Sequence, residues 1–409
     1  MSRSLKAAVN AVMRGGLGRS WRSSFDIDAW VDGPDASSRF LVDPEQYKST
    51  LFALLRAAEK DIAVECYIVE DDAFSAELFT VLREAAERGV RVRMIADGFG
   101  SRAWLQSRLE ELREWPIHFR VYHPLPWALP SRSRSTYLVR DLFNHFVTFN
   151  RRDHRKLVLI DGRCAVLGSH NIWEESLQWH EASLVLGDAS ARALSESFER
   201  VWLRSSELDG SRPSLLRGRV NAPGRKGLPA REGILDNTTL RFARLRHKAI
   251  LALLAKAKSR LWITTPYLMP HRTFLRQIKA RAEAGVDVKL ILPRRSDVRL
   301  SRWMAQSLYH DLLRSGVSIH EFTGSILHAK VMVADDRFLL GSSNLNHRSF
   351  FQDLEIDYLG QDPALLAAII EWKQRTLQQC EQITDVGQIP LHALKRCIAG
   401  VLNPLRGYF

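Results

Sequence analysis

One short string of residues occurs twice in this chain, and that doubling limits the possible folds more than any other feature. His154-Arg155-Lys156 is followed after four residues by Asp161, and then by Gly168-Ser169-His170-Asn171. His328-Ala329-Lys330 is followed after four by Asp335, and then by Gly341-Ser342-Ser343-Asn344. Each copy runs through an apolar, strand-like stretch. Two matched copies predict two half-sites that meet in one active centre, each supplying an imidazole, an ammonium and a carboxamide.

The duplication extends beyond the motif. Leu54-Leu55 and Ile62-Ala63-Val64 lead to Gly89-Val90 and an alternating run to Ile95; Leu253-Leu254 and Leu261-Trp262-Ile263 lead to Gly285-Val286 and a run to Ile291. Apolar spacing switches from helical to strand period at each glycine, which reads as helix, strand, helix, strand in both halves. Strands alternating with helices predict an α/β protein with mainly parallel central sheets covered on both faces. The copies differ in length: Gly89 to His154 spans 65 residues and Gly285 to His328 spans 43. The surplus falls around Pro124 to Phe149, where Trp127, Tyr137, Phe143 and Phe146 mix with Arg132, Arg134 and Arg140. That mixture suits a lipid interface or a lid over the site.

The chemistry follows from the residue types. Residues two apart on a strand share a face, so each His-Lys pair points one way, at the end of an otherwise apolar strand. Asp161-Gly162 and Asp335-Asp336 are turn signals, so both aspartates read as turn-fixing, supporting residues. Gly168 and Gly341 permit close backbone approach to an oxyanion, and Ser169, Ser342, Asn171 and Asn344 are hydrogen-bond donors for phosphoryl oxygens. Lys156 and Lys330 add positive charge where a pentacoordinate phosphorus becomes negative, the task magnesium performs elsewhere. The reading therefore calls for no metal and no cofactor. One histidine attacks phosphorus and the other donates a proton to the leaving oxygen; near pKa 6.5 either state is available. Each ring then needs its second nitrogen held, and Glu181 and Glu355, ten and eleven residues beyond the two asparagines, are the candidate partners. His170, His180 and His347 read as polar satellites.

The strings HRKLVLID…GSHN and HAKVMVAD…GSSN resemble the paired signatures of the phospholipase D superfamily. Ile95 to Ser101, Asn150 to Lys156, Thr265-Pro266-Tyr267, Phe322 to Lys330 and Ser342 to Ser349 are similar to bacterial cardiolipin synthases, the shorter type without N-terminal membrane helices. The resemblance covers about Tyr47 to Trp372. It implies two phospholipase D-like α/β/α sandwich domains about a pseudo-twofold axis. It further implies transfer of a phosphatidyl group from one phosphatidylglycerol to another, with His154 as the phosphohistidine and His328 as acid and base. The expected division is a basic segment 1–40, domains 41–210 and 236–385, a basic linker 211–235 and a basic amphipathic tail 386–409. One departure from the pattern is that five residues separate Asp335 from Gly341, against six after Asp161; a turn shortened by one residue is the simplest account.

Composition fits that reading without selecting it. A net charge of +13 favours an anionic partner: phospholipid, a membrane surface or nucleic acid. Nucleic acid is disfavoured because the basic residues gather at the ends and linker, and no aromatic-interleaved basic groove is visible. Phosphatidylglycerol or phosphatidylethanolamine is the expected substrate, and the need for a helper protein is left open. Cys66, Cys164, Cys380 and Cys397 lie far apart, as core thiols of a reducing compartment do. No apolar run reaches the roughly 18 residues of a membrane span, and no signal-peptide core opens the chain. A peripheral enzyme on the cytoplasmic face of the inner membrane is expected. The competing readings are a phospholipase D-type phosphodiesterase or nuclease that uses water as acceptor, and a non-catalytic membrane scaffold.

Overall fold

A computed structural model describes residues 38–124, 151–208 and 233–389. The insertion around 124–149, the N-terminal segment, nearly all of the linker and the tail beyond residue 389 lie outside the described residues. The first half contributes β1 (Arg39–Leu41), β2 (Asp61–Cys66), β3 (Arg91–Asp97), β4 (His118–Tyr122), β5 (Leu157–Ile160), β6 (Cys164–Gly168), β7 (Ser183–Leu186) and β8 (Ser206–Glu207). The second contributes β9 (Ile234–Asp236), β10 (Arg260–Thr264), β11 (Asp287–Pro293), β12 (Ser318–Phe322), β13 (Val331–Ala334), β14 (Arg337–Gly341), β15 (Ile356–Gly360) and β16 (Cys380–Ile383). The sheet orders are β1-β7-β6-β5-β2-β3-β4-β8 and β16-β12-β11-β10-β13-β14-β15-β9.

Both sheets are mixed, which corrects the expectation of mainly parallel sheets. Only β2-β3-β4 and β10-β11-β12 run parallel; every other pairing is antiparallel. Connection length decides this. Helices Ala73–Glu87 and Arg272–Glu283 are long enough to cross back over the sheet, whereas the turns at Asp161 and Asp335 can join only antiparallel neighbours.

Those turns show why the motif carries aspartate. Asp161 and Asp335 have φ of 54° and 53°, a left-handed conformation that aspartate tolerates. The Asp161 carboxylate accepts from the amides of Glu59, Lys60 and Asp61, and Asp335 accepts from Lys258, Ser259 and Arg260. Each ties its hairpin to the start of the neighbouring strand, and the backbone bonds hold both carboxyls below their usual range. The missing residue of the second copy is absorbed here: Ile160 pairs with Cys164 across three residues, Ala334 with Arg337 across two. Beyond the turn the register is the same, since Gly168 and Gly341 both donate to the motif lysine's carbonyl at 3.4 Å.

Three apolar layers hold the molecule together. Helices Pro44–Arg56, Ala73–Glu87 and Arg102–Glu114 cover the outer face of the first sheet through Leu55, Phe74, Leu82 and Trp104. Helix Leu240–Lys256 and its neighbours cover the outer face of the second. Between the sheets lies one continuous core, in which Leu157, Leu167 and Phe198 of the first half pack with Val331, Phe338, Ile369 and Trp372 of the second. The two halves therefore share a core, and β9 takes in residues 234–235 that the sequence reading gave to the linker.

Candidate active site

His154-Arg155-Lys156 and His328-Ala329-Lys330 lie in extended segments just before β5 and β13, at the same end of the shared core. Each segment is stitched to the opposite half. The His154 amide donates to the Leu354 carbonyl at 3.0 Å, and the Leu354 amide donates to the Arg152 carbonyl at 2.7 Å. In the mirror arrangement, the amides of His328 and Ala329 donate to the His180 carbonyl at 3.0 and 2.8 Å, and the His180 amide donates to the Ile326 carbonyl at 2.7 Å. Leu354 and His180 directly precede Glu355 and Glu181. Backbone pairing thus delivers each glutamate to the other half's histidine.

The side chains complete that exchange. His154 Nδ1 lies 3.2 Å from Glu355 Oε2 and 3.1 Å from the Ser342 carbonyl oxygen. His328 Nδ1 lies 2.6 Å from Glu181 Oε1. With Nδ1 engaged on both rings, Nε2 is the atom each offers to a ligand. His154 keeps 12% of its side chain exposed and His328 only 5%. The Tyr67 ring stands 5.1 Å from His154, and Trp179 and Tyr267 stand 5.2 and 6.5 Å from His328.

Lys156 donates to the His154 carbonyl at 2.7 Å, and Lys330 donates to the His328 carbonyl. Burial and then the motif lysines hold both imidazoles well below their usual pKa, which favours neutral rings. Burial, reinforced by Lys156, brings Lys330 down to about 7. Burial raises Glu181, and it pushes Glu355 up to about 7 against the pull of Arg246. Strongly shifted titratable groups thus cluster at one spot, and a bound anion would relieve the shifts of the lysines and imidazoles.

The serines and glycines of the motif brace the strands that carry the two glutamates. The Ser169 hydroxyl donates to the Ala182 carbonyl and accepts from its amide, while the Ser169 amide donates to the same carbonyl. The Ser342 hydroxyl donates to Glu355 and accepts from the Ile356 amide, and the Ser342 amide donates to the Ile356 carbonyl. Neither hydroxyl nor amide is left for a phosphoryl oxygen; they fix the strand that carries each glutamate. Gly168 and Gly341 are there for the same contact. A Cβ on Gly168 would lie 2.5 Å from the Ala182 carbonyl oxygen, and one on Gly341 would lie 2.3 Å from that of Ile356.

The asparagines are buried beside the histidines' segments. Asn171 Oδ1 accepts from the Ile68 amide at 3.3 Å, which turns its NH2 away from that contact. Asn344 Oδ1 is buried with no hydrogen-bond partner. Asp161 and Asp335 sit at the far ends of their hairpins and touch no other motif residue. His170 stacks on Tyr47 and bonds Ser183, and His180 is sandwiched between Phe322 and Trp372. His347 packs on Phe351.

Several contributors were invisible as such in the sequence. Asn237 Oδ1 accepts the Glu355 amide at 2.8 Å, and Ser349 donates to Glu355 Oε1 at 2.6 Å. Asp97 accepts the Asp153 amide at 2.8 Å, and burial lifts its carboxyl to about 6. Asp97 and Tyr267 lie in stretches that stood out by resemblance, but no spacing rule links them to the motif.

Comparison with known proteins now has a geometry to attach to. The family profile described as "Cardiolipin synthase, PLD-like domain" matches residues 51–202 and again 250–377, one match per half. The chain belongs to that family. Cardiolipin synthase from Halalkalibacterium halodurans is 28% identical over 332 residues, covering 78% of this chain and 62% of the relative. That of Geobacillus kaustophilus is 30% identical, covering 78% and 61%, and cardiolipin synthase A of Pseudomonas entomophila is 28% identical, covering 90% and 74%. The chain thus spans about three-fifths of the length of the first two relatives. Phosphatidylserine synthase from Haemophilus influenzae shares the phospholipase D-like fold with a TM-score of 0.66 at 16% identity, covering 92% of this chain and 95% of that one. Among the described residues, no helix is long and apolar enough to cross a membrane.

Proposed function

We propose that the chain is a phosphatidyltransferase that makes cardiolipin from phosphatidylglycerol through a covalent phosphohistidine, working as a peripheral protein on the cytoplasmic membrane face. The observation that carries this reading is the crossed arrangement, in which each buried imidazole is held at Nδ1 by a glutamate of the opposite half.

The chemistry follows from the asymmetry between the rings. His154 is the more exposed, and its Nδ1 contacts are the longer ones, so its neutral Nε2 is the nucleophile. His328 has the short contact to a carboxylate, which stabilises an imidazolium, so it is the acid. A phosphodiester entering between Lys156 and Lys330 offsets the charges that keep the rings neutral and lets His328 take up a proton. His154 Nε2 then bonds to phosphorus, the phosphorus–oxygen bond to glycerol breaks, and His328 gives its proton to the departing oxygen. A second phosphatidylglycerol binds, His328 removes its hydroxyl proton, and that oxygen displaces His154 from phosphorus. Donation from Asn171 and Asn344 and the charge of the lysines stabilise both pentacoordinate states.

The test is mass spectrometry of lipids after incubating the purified chain with labelled phosphatidylglycerol, with and without phosphatidylethanolamine. Cardiolipin and free glycerol in equal amounts are expected; phosphatidic acid without cardiolipin would make the chain a hydrolase. His154→Ala and His328→Ala should each lower turnover by about 10⁴-fold or more, with the double variant no worse than either single one.

A further inference from the structure

The described residues expose six large apolar side chains: Phe99, Leu203, Leu240, Val298, Trp303 and Phe351. Each of the six follows or adjoins, along the chain or through a hydrogen bond, a residue that belongs to the surroundings of the two histidines. Phe99 lies two residues past Asp97, which holds the Asp153 amide, and the guanidiniums of Arg102 and Arg152 stand 5.3 and 5.5 Å from its ring. Val298 follows Asp297, the acceptor of the Tyr267 hydroxyl beside His328, and Trp303 lies five residues further on in helix Arg299–Gln306. Leu240 opens its helix three residues after Asn237, which binds the Glu355 amide. Arg204, next to Leu203, donates to the carbonyl of Thr238, the residue after Asn237. Phe351 lies four residues before Glu355. None of the six belongs to the turns at Asp161 and Asp335 or to the segments Glu59 to Asp61 and Lys258 to Arg260 that those turns bind.

We propose that this rim is a docking face for an anionic bilayer, so that the cleft opens directly into the headgroup layer. The inference rests on the phosphatidyltransferase reading for its purpose but on the rim alone for its evidence. Exposed Arg102, Arg204, Arg241, Arg295 and Arg299 are interleaved with the apolar side chains. A bilayer carrying phosphatidylglycerol satisfies both sets at once: arginines bind phosphates while the apolar side chains enter the acyl boundary. A nucleic-acid backbone would answer only the arginines. A second copy of this face would set arginine against arginine.

The test is co-sedimentation of the full chain with vesicles of phosphatidylcholine, with and without phosphatidylglycerol. Wild type should pellet with the mixed vesicles, more weakly at high salt. The triple variant Phe99→Ser/Leu240→Ser/Trp303→Ser should bind them at least about tenfold more weakly. Lys60→Ser/Lys258→Ser, in the segments that the turns at Asp161 and Asp335 bind, should bind as wild type does. Thermal melts establish that the triple variant is folded, and its turnover of a short-chain, monomeric phosphatidylglycerol should match wild type. Unchanged vesicle binding by the folded triple variant overturns the proposal. So does a wild-type chain that ignores anionic vesicles, or one that prefers duplex DNA to them. Because binding is read without turnover, a chain that docks through this rim but makes no cardiolipin sinks the enzymatic reading alone.

Discussion

Between His154 and Lys156 stands Arg155, wholly buried and 3.1 Å from Glu65 of β2. In the second half the equivalent residue is Ala329, and the position matching Glu65 on β10 is Thr264; each pairs with the first residue of the motif strand. Lys373, from helix Pro363–Gln378, fills the space there, donating to the Thr264 hydroxyl at 2.6 Å and to the Val331 carbonyl at 2.9 Å. The first half thus buries a charged group of Arg155, Glu65 and Asp153, in which burial and the neighbouring Glu65 push the Asp153 carboxyl well up. The second buries one amine, which burial alone drives well below the usual lysine value. The pair of halves shows which features the site needs twice. Histidine, lysine, asparagine, the serine-braced strand and the crossed glutamate recur; the buried support behind them does not.

The largest effects should come from the crossed contacts. Glu355→Gln and Glu181→Gln should each lower turnover by about 10²-fold or more, because the ring loses the acceptor that sets its tautomer and orientation. Nitrogen NMR should then show the His154 ring signals moving in Glu355→Gln and the His328 signals moving in Glu181→Gln. The reverse pairing would refute the exchange between halves.

Stability separates the two buried supports next. Arg155→Leu leaves Glu65 and Asp153 without their cation and should cost about 3–5 kcal/mol in urea unfolding, as removal of one partner of a buried ion pair does. Lys373→Met removes a lone buried amine and should be neutral or stabilising. An equal loss in both variants would erase the difference between the two buried supports.

The smallest effect is a pH dependence. Lys330 falls from 10.5 in the unfolded chain to about 7 in the fold, so the folded state binds fewer protons between those values and stability rises with pH across that window. Below about 7 the penalty is present in full. Lys330→Met should therefore raise the melting temperature by several degrees at pH 6 to 7, with the gain fading towards pH 10.5, while abolishing turnover. A gain that did not change with pH would argue against a buried, destabilised ammonium.

Much of the fold was legible because its signals are local. The switch of apolar period at Gly89 and Gly285 marked helices and strands correctly, and Asp161 and Asp335 announced the turns they make. Sheet direction was not legible because β1, β8, β9 and β16 join the sheet edges, and β2 and β10 meet β5 and β13, through long-range antiparallel pairings that periodicity does not encode. The bracing role of the serines is hidden in the sequence for a related reason. Gly-Ser-x-Asn looks like an anion cradle until the following strand is placed against it, when the hydroxyl proves to be taken by Ala182 or Glu355.

Two matched halves, each with histidine and lysine at the end of a short apolar strand, can be read from the residues alone, because repeats and parity are properties of the chain. Only tertiary structure decided that Glu355 serves His154 and Glu181 serves His328, across separations of 201 and 147 residues. Contacts that distant depend on how one sheet lies against the other, and that is settled by burying Leu157, Phe198, Val331 and Trp372 in a single shared core.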